Sequence, residues 1–327
     1  MSQESQFAYI YQNGPYDVEL IDSSESFQDS IRRSTTTKKT LHTILTPPKP
    51  LLVAVPQHAG EFPVIMLQHG FVLKNYFYRQ LMQHIASHGS IVIAPQMYDF
   101  AAADATPEIN EAAAVINWLP NGLIPFLGDG RKAKPDFNKL ALIGHSRGGK
   151  VVFALALGLA KLDLKICAVI GLDPVDGTSN KVQTQPHVLR FSEYSFNFDF
   201  PTLVVGAGLG CLKRNLLFPP CAPEGVSHKA FFHDCGSPAF HFVAPEYGHM
   251  DFLDDQTQGT RGKITYCLCK NGPSRSPMRK FSGGIVVAFL LAVFDRKCEA
   301  FYDAIQNYSL NAPVKLEQPE SHGDLPI

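Results

Sequence analysis

The sequence lacks the features of a nucleic-acid-binding or membrane-spanning protein. It has no excess of charge of either sign, since 29 basic and 30 acidic residues give a formal net charge of −1. Nucleic-acid-binding proteins carry a basic patch or stripe, so we expect no nucleic-acid partner. The longest apolar run, residues 285–294, is too short to span a bilayer. We therefore predict no transmembrane segment.

Recognisable targeting signals are also missing. No apolar core of a secretory signal peptide is found near the N-terminus. Residues 1–31 contain several acids but no Lys or Arg, which is the opposite of an Arg-rich transit peptide. Either the mature form starts here or targeting uses another route.

Cysteine is present in an odd number, which does not fit a complete disulfide framework. The seven are Cys167, Cys211, Cys221, Cys235, Cys267, Cys269 and Cys298. Free thiols, or one or two disulfides among Cys221, Cys235 and the Cys267–Cys269 pair, both fit the sequence. The C-x-C spacing is not a standard zinc pattern, even with His228 or His233 as further ligands, so we expect no metal site.

What the sequence does contain is a strand–turn–helix motif with a serine at its centre. An apolar segment, residues 140–143, runs into Gly144-His-Ser-Arg-Gly148, and an apolar helical pattern follows. G-x-S-x-G in this context is typical of a nucleophile elbow, whose sharp turn exposes the serine hydroxyl. A Gly-rich turn with a solvated serine is the alternative. We predict Ser146 as a nucleophile.

Apolar strands and helices alternate around this motif, which indicates a parallel sheet. We predict an α/β-hydrolase fold with a mostly parallel central sheet and helices on both faces. Residues 47–310 form its single domain, after an N-terminal extension at 1–46 and before a flexible tail at 311–327. Residues 208–238 are predicted as a long loop facing the substrate. The predicted strands are 51–55, 62–67, 91–95, 140–143, 166–172, 201–206 and 239–244, and the main predicted helices are 76–87, 106–118, 150–160 and 285–305.

Further candidates for the chemistry stand where strands end. The backbone N–H groups of Phe71, after the second strand, and of Arg147, directly after the serine, are predicted as the oxyanion hole. Asp173 leaves its strand at the sheet edge where active sites gather, so we predict it as the acid of a catalytic triad. Asp176, in a Pro-Val-Asp-Gly turn, is the alternative, although it is more typical of a turn former. His249, in a loop after the last strand, is predicted as the base.

Several stretches together resemble plant chlorophyllases. They are His69-Gly-Phe-Val-Leu-Lys-Asn-Tyr-Phe-Tyr78, Gly144-His-Ser-Arg-Gly-Gly-Lys150, Gly171-Leu-Asp-Pro-Val175, Pro219-Pro-Cys-Ala-Pro223 and Tyr247-Gly-His-Met-Asp251. The resemblance covers about residues 47–295. It implies hydrolysis of the phytyl ester of chlorophyll, without a cofactor, through Ser146, Asp173 and His249. The chain departs from the family pattern at Asp176, where a small residue is common.

The resemblance also implies an apolar substrate, chlorophyll or pheophytin, and hence peripheral contact with a membrane to reach it. Candidate substrate contacts are the aromatic residues Phe71, Tyr76, Phe77, Phe218 and Phe231. A chloroplast location is suggested by the substrate alone, with the cytosol as the alternative. Two other functions fit the same fold: a broad-specificity carboxylesterase or lipase, and a non-catalytic binding protein.

Overall fold

A nine-stranded sheet organises the part of the chain that the computed structural model describes, residues 7–24, 46–128, 130–216 and 218–325. The strands are β1 Val18–Asp22, β2 Leu51–Pro56, β3 Gly60–Gln68, β4 Ile91–Pro95, β5 Ala133–His145, β6 Ile166–Leu172, β7 Thr202–Ala207, β8 Ala239–Ala244 and β9 Glu320–His322. Their order across the sheet is β1-β2-β4-β3-β5-β6-β7-β8-β9. The six strands from β4 to β8 in this order are parallel, whereas β1, β2 and β9 pair antiparallel.

Helices cover both faces of this sheet. They are α1 Arg79–Ser87, α2 Thr106–Leu127, α3 Arg147–Ala156, α4 His228–Asp234, α5 Gly259–Cys267, α6 Arg275–Asp295, α7 Glu299–Gln306 and α8 Tyr308–Asn311. Two 3-10 helices, Ala8–Tyr11 and Asn75–Tyr78, precede β1 and α1. One core contains side chains of α1, α6 and α7, and the other contains side chains of α2, α3 and α4.

Alternate residues of the central strands enter opposite cores. Leu142 packs with α2 and α3, whereas its neighbour Ile143 packs with α1 and α6. Because both faces of a central strand are covered, its residues are apolar in an unbroken run. The α/β-hydrolase fold, with a mostly parallel sheet and helices on both faces, is confirmed.

Helix α6 is long and apolar enough to cross a membrane by length and composition, the one such helix among the described residues. Of its most apolar window, 72% is buried inside the protein. Its side chains pack against α1 and the sheet, so it belongs to the core. Arg296, in the left-handed conformation, ends it, so the single closing helix predicted for residues 285–305 is two helices.

Parts of both termini belong to the sheet, in contrast to the extension and flexible tail predicted from the sequence. Strand β1 pairs with β2 along its whole length, and Ile10 is buried in the core. At the other end, β9 pairs with β8, and Leu316 and Leu325 are buried. Residues 1–6, 25–45 and 326–327 lie outside the described part. Both edge strands are short, and β9 is entirely polar, so the sequence of each strand alone gives little sign of it.

The segment 208–238 is a loop only as far as residue 227, because α4 begins at His228. Cys221 in this loop forms a disulfide with Cys269, which follows α5. The remaining thiols are those of Cys167, Cys211, Cys235, Cys267 and Cys298. One of the pairings left open by the sequence is therefore present, and it fastens the loop to the segment beside the end of α5.

Candidate active site

Ser146 stands at the turn between β5 and α3, with φ 57° and ψ −125°. This positive φ is strained for a residue with a side chain, and it is typical of a nucleophile elbow. A Cβ on Gly144 would overlap the carbonyl of Gly148, and one on Gly148 would overlap the carbonyl of Gln68. Only glycine fits at these two positions, because strand, turn and helix pass so close together.

Ser146, His249 and Asp173 form one hydrogen-bonded chain. The Ser146 hydroxyl lies 2.8 Å from His249 Nε2, and His249 Nδ1 lies 2.6 Å from Asp173 Oδ2. Asp173 follows β6, the neighbour of β5, and His249 is in the loop after β8. The carboxyl ends of these parallel strands meet at one edge of the sheet, which brings together three residues distant in sequence. Such an arrangement can transfer a proton from the serine to the histidine.

The carboxylate of Asp173 is completely buried. Burial opposes its ionisation, but the hydrogen bond and charge of His249 outweigh burial and hold the pKa of Asp173 below its ordinary value. Asp173 is therefore ionised at neutral pH. An ionised partner at Nδ1 leaves Nε2 of His249 free to accept a proton and stabilises the imidazolium that then forms.

Asp176 has entirely different partners. Its carboxylate lies 2.7 Å from the Lys150 ammonium, and its Oδ2 accepts the backbone N–H groups of Val188 and Leu189, each at 2.9 Å. Lys150 and Asp176 are both fully buried. The structure thus brings Asp173, and not Asp176, to His249, and Asp176 connects α3 to the segment at 188–189.

The two predicted oxyanion donors flank the serine. Phe71 follows β3, and the next residue, Val72, has φ 57°, a strained conformation for a β-branched side chain. A Cβ on Gly70 would lie 3.1 Å from Ser146 Cβ, so this loop touches the nucleophile. In the described part of the chain, neither the Phe71 nor the Arg147 backbone N–H donates to a protein acceptor. Both remain available for an oxyanion, and Arg147 also begins α3, whose dipole favours negative charge there.

The side chain of Arg147 is engaged away from the serine. Its guanidinium forms a buried ion pair with Glu108 at 2.5 Å and donates to the Asp104 carbonyl at 2.9 Å. The Phe71 ring lies over it, 5.4 Å from the guanidinium carbon. Only the backbone of Arg147 is therefore in a position to act on a substrate.

The five predicted substrate contacts fall into two groups. Phe71 and Phe218 are exposed, at 49% and 41%, and Tyr76 is partly buried. Phe77 and Phe231 are buried in opposite cores, at 1% and 0% exposure. The 3-10 helix and α4 turn these two rings into the protein, so neither ring is exposed at the surface.

Two buried side chains near the serine were not predicted to have a function. Tyr78 and His145 hydrogen-bond to each other at 2.7 Å, and His145 Nε2 lies 2.8 Å from the carbonyl oxygen of His249. The position of His145 inside the G-x-S-x-G motif is the one signal that the sequence offers for them. His241, the other histidine near the last strand, bonds instead to His228 and Glu320.

No group of three or more His, Cys, Asp or Glu side chains in the described ranges is arranged to hold a metal ion.

Comparison with known proteins gives concordant results. A family model described as Chlorophyllase matches residues 7–323. Chlorophyllase-2 of Arabidopsis thaliana is 51% identical over 282 residues, which cover 84% of this chain and 87% of that protein. Chlorophyllase-1 of the same plant is 47% identical, with 75% and 76% covered. Chlorophyllase-1, chloroplastic, of Citrus unshiu is 45% identical, with 84% and 81% covered.

Proposed function

The chain belongs to the chlorophyllase family of carboxylic-ester hydrolases, and on that premise we propose that it hydrolyses the phytyl ester of chlorophyll through Ser146, His249 and Asp173. The observation that carries the proposal is the continuous chain from the Ser146 hydroxyl to the Asp173 carboxylate, at 2.8 Å and 2.6 Å. Ser146, at the start of this hydrogen-bonded chain, has the strained backbone conformation of a nucleophile elbow.

The proposed reaction has two halves. Ser146 Oγ attacks the ester carbonyl while His249 Nε2 takes its proton, and the Phe71 and Arg147 N–H groups stabilise the oxyanion. The tetrahedral intermediate collapses, and phytol leaves with the proton from His249. Water then attacks the acyl-enzyme with His249 as base, which releases chlorophyllide and restores the serine. No cofactor takes part in these steps.

We propose that an apolar rim brings the site to a lipid surface. Leu216 and Phe100 are exposed at 97% and 86%, and Ile264 of α5 is exposed at 47%. Arg261 at the start of α5 lies over the Phe100 ring, and Arg214 donates to the carbonyl groups of Tyr266 and Cys269 near the end of α5. Apolar side chains beside arginines suit a membrane with anionic lipids. Sedimentation with anionic and neutral vesicles tests this contact, and equal weak binding to both would contradict it.

The alternative functions differ in what they predict for substrate and serine. A broad carboxylesterase or lipase would hydrolyse short acyl esters at least as well as chlorophyll. A binding protein would not react at Ser146. Chromatographic detection of chlorophyllide, beside a panel of short esters and a fluorophosphonate label, separates the three.

Ser146→Ala is the direct test of the proposed mechanism. We expect kcat to fall by roughly 10⁴–10⁶-fold, as in triad knockouts, with an unchanged circular dichroism spectrum. If the variant kept a tenth of the wild-type rate, Ser146 would not be the nucleophile.

We also propose a chloroplast location. Its support is the proposed substrate and the word "chloroplastic" in the names of the Citrus unshiu and Citrus sinensis relatives. Imaging of the full chain fused to a fluorescent protein in leaf cells checks it, and a purely cytosolic signal would contradict it.

A further inference from the structure

A second chain of hydrogen bonds runs behind the serine. The backbone N–H of Gly70 donates to the Tyr78 hydroxyl at 3.1 Å, and that hydroxyl lies 2.7 Å from His145 Nδ1. The other ring nitrogen of His145 lies 2.8 Å from the carbonyl oxygen of His249. The chain thus begins one residue before the Phe71 oxyanion donor and ends on the backbone of the proposed base.

The direction of each bond follows from its ends. The His249 carbonyl can only accept, so His145 Nε2 carries a proton. Burial, together with the nearby charge of His249, lowers the pKa of His145 to about 3, so its ring is neutral and Nδ1 is an acceptor. The Tyr78 hydroxyl therefore donates to Nδ1, and its oxygen accepts the Gly70 N–H. Every donor and acceptor along the chain is used in one consistent direction.

Packing holds this chain tightly around Ser146. Tyr78 and His145 are both fully buried. The His145 ring lies 4.8 Å from the His249 ring and 5.4 Å from the Phe252 ring, centroid to centroid. A Cβ on Gly70 would lie 3.2 Å from His145 Nδ1, so the loop rests directly on the ring.

We propose that Tyr78 and His145 are positioning residues, which hold the oxyanion loop and the base at a fixed separation on either side of Ser146. The inference rests on the proposed triad. A donor must lie at about 2.7–3.1 Å from the developing oxyanion, and a displacement of about 1 Å can cost up to 100-fold in rate. A rigid link between donor and base therefore stabilises the transition state. It leaves the binding of the substrate's apolar parts unchanged.

Other bonds already hold the backbone of these segments together. Asp254 donates its N–H to the Phe77 carbonyl at 2.7 Å, and its carboxylate accepts the Gln80 N–H at 2.8 Å. Removal of the Tyr78 hydroxyl alone thus leaves the fold and the 3-10 helix in place. Tyr78→Phe isolates the contribution of the hydroxyl.

The experiment compares Tyr78→Phe with a matched control, Tyr302→Phe. The Tyr302 hydroxyl also accepts a backbone N–H at 3.1 Å, that of Leu325, but on the outer helix α7. We expect Tyr78→Phe to lower kcat by roughly 10–100-fold with KM changed less than twofold, on chlorophyll and on a short ester alike. Labelling of Ser146 by a fluorophosphonate should slow in parallel, whereas Tyr302→Phe should keep the wild-type kcat.

A second pair of variants tests His145. The amide of His145→Gln can still donate to the His249 carbonyl, but His145→Ala cannot. We expect the Gln variant to recover at least tenfold of the kcat lost in the Ala variant, and its pH–rate profile to stay closer to that of the wild type. If the role of His145 were purely structural, both variants would have a lower melting temperature, and kcat would not fall selectively relative to KM.

Ser146→Ala, measured in the same assays, distinguishes a failure of the proposed triad from a failure of the positioning role. Activity in Ser146→Ala would overturn the proposed triad. An inactive Ser146→Ala beside wild-type kcat in Tyr78→Phe, or equal kcat in the Gln and Ala variants of His145, would overturn only the positioning role.

Discussion

At the scale of single residues, the two aspartates after β6 have separable tasks. Asp173 bonds His249 at 2.6 Å, so Asp173→Asn should favour the wrong tautomer of His249 and lower kcat by about 10⁴-fold. Asp176→Asn instead breaks the buried pair with Lys150, which should cost about 3–5 kcal/mol of stability and less than tenfold in kcat. Kinetics and urea unfolding of both variants check this. A greater loss of kcat in Asp176→Asn would reverse the assignment.

Asp254 gives the stability a dependence on pH. Burial raises its pKa to about 7, whereas an unfolded chain has an Asp pKa of about 3.9. The protonated form is favoured in the folded state, so its stabilising contribution is complete below about pH 4 and is lost as pH rises through about 7. The side chain of Asp254→Asn does not titrate. Its free energy of unfolding, relative to that of the wild type, should therefore rise by about 2 kcal/mol between pH 5 and pH 8. Urea unfolding at both pH values measures this gain, and a constant difference would refute it.

Residue patterns in the sequence were sufficient to predict the strand–turn–helix around Ser146 but not the side chains that surround it. Ser146 follows from two glycines and the flanking apolar runs, all within a few positions. The contact of Tyr78 with His145 spans 67 positions, and nothing local distinguishes that tyrosine from any other aromatic residue. Only the fold brings the two together.

At the scale of elements, two aromatic residues of the segment 208–238 differ in burial, and we expect them to differ in role. Phe218 is 41% exposed on the loop, so Phe218→Ser should raise KM for chlorophyll more than KM for a short ester. Phe231 of α4 is 0% exposed and packs on Phe153 at 4.9 Å. Phe231→Ala should cost about 3–5 kcal/mol of stability and leave the ratio of the two KM values unchanged. Steady-state kinetics and urea unfolding check both variants; equal changes in both KM values for Phe218→Ser would exclude a role in recognition.

Elements with two buried faces were predictable, and elements defined by their neighbours were not. The fully buried parts of the central strands are apolar runs, so the existence of these strands and their order along the chain are evident. Helix α2 continues through Pro120 and Pro125, although proline usually ends a helix and the predicted helix stops at residue 118. Buried partners at Leu119 and Leu123 stabilise it through tertiary packing.

At the scale of the whole molecule, both edges of the sheet are closed by short antiparallel strands from near the chain ends. We propose a single hydrolase domain that includes the described segments 7–24 and 312–325, rather than one that ends at residue 310. Strand β1 covers the edge of β2, and β9 covers the edge of β8. Edge strands that remain uncovered are sites for pairing with other chains, so these short strands also protect the sheet.

Truncation after Asn311 tests this view of the molecule. The change removes β9 and the side chains of Val314, Leu316 and Leu325, exposed at only 6%, 7% and 3%. Each such side chain contributes about 1.5–3 kcal/mol when buried, so we expect a loss of roughly 5 kcal/mol and a lower melting temperature. The newly exposed edge of β8 should also cause aggregation, measurable by light scattering.

The matched control for the truncation is Glu320→Gln in the full chain. Glu320 bonds His241 at 2.8 Å and is largely exposed, so its replacement alters one side-chain hydrogen bond and keeps the strand. One such hydrogen bond contributes about 0.5–1.5 kcal/mol, and the control should therefore not aggregate and should be nearly as stable as the wild type. If the truncated chain behaved like this control, the last residues would be a dispensable tail. A large difference between the two would assign the stability to the strand and the apolar side chains around it, because these are absent from the truncated chain alone.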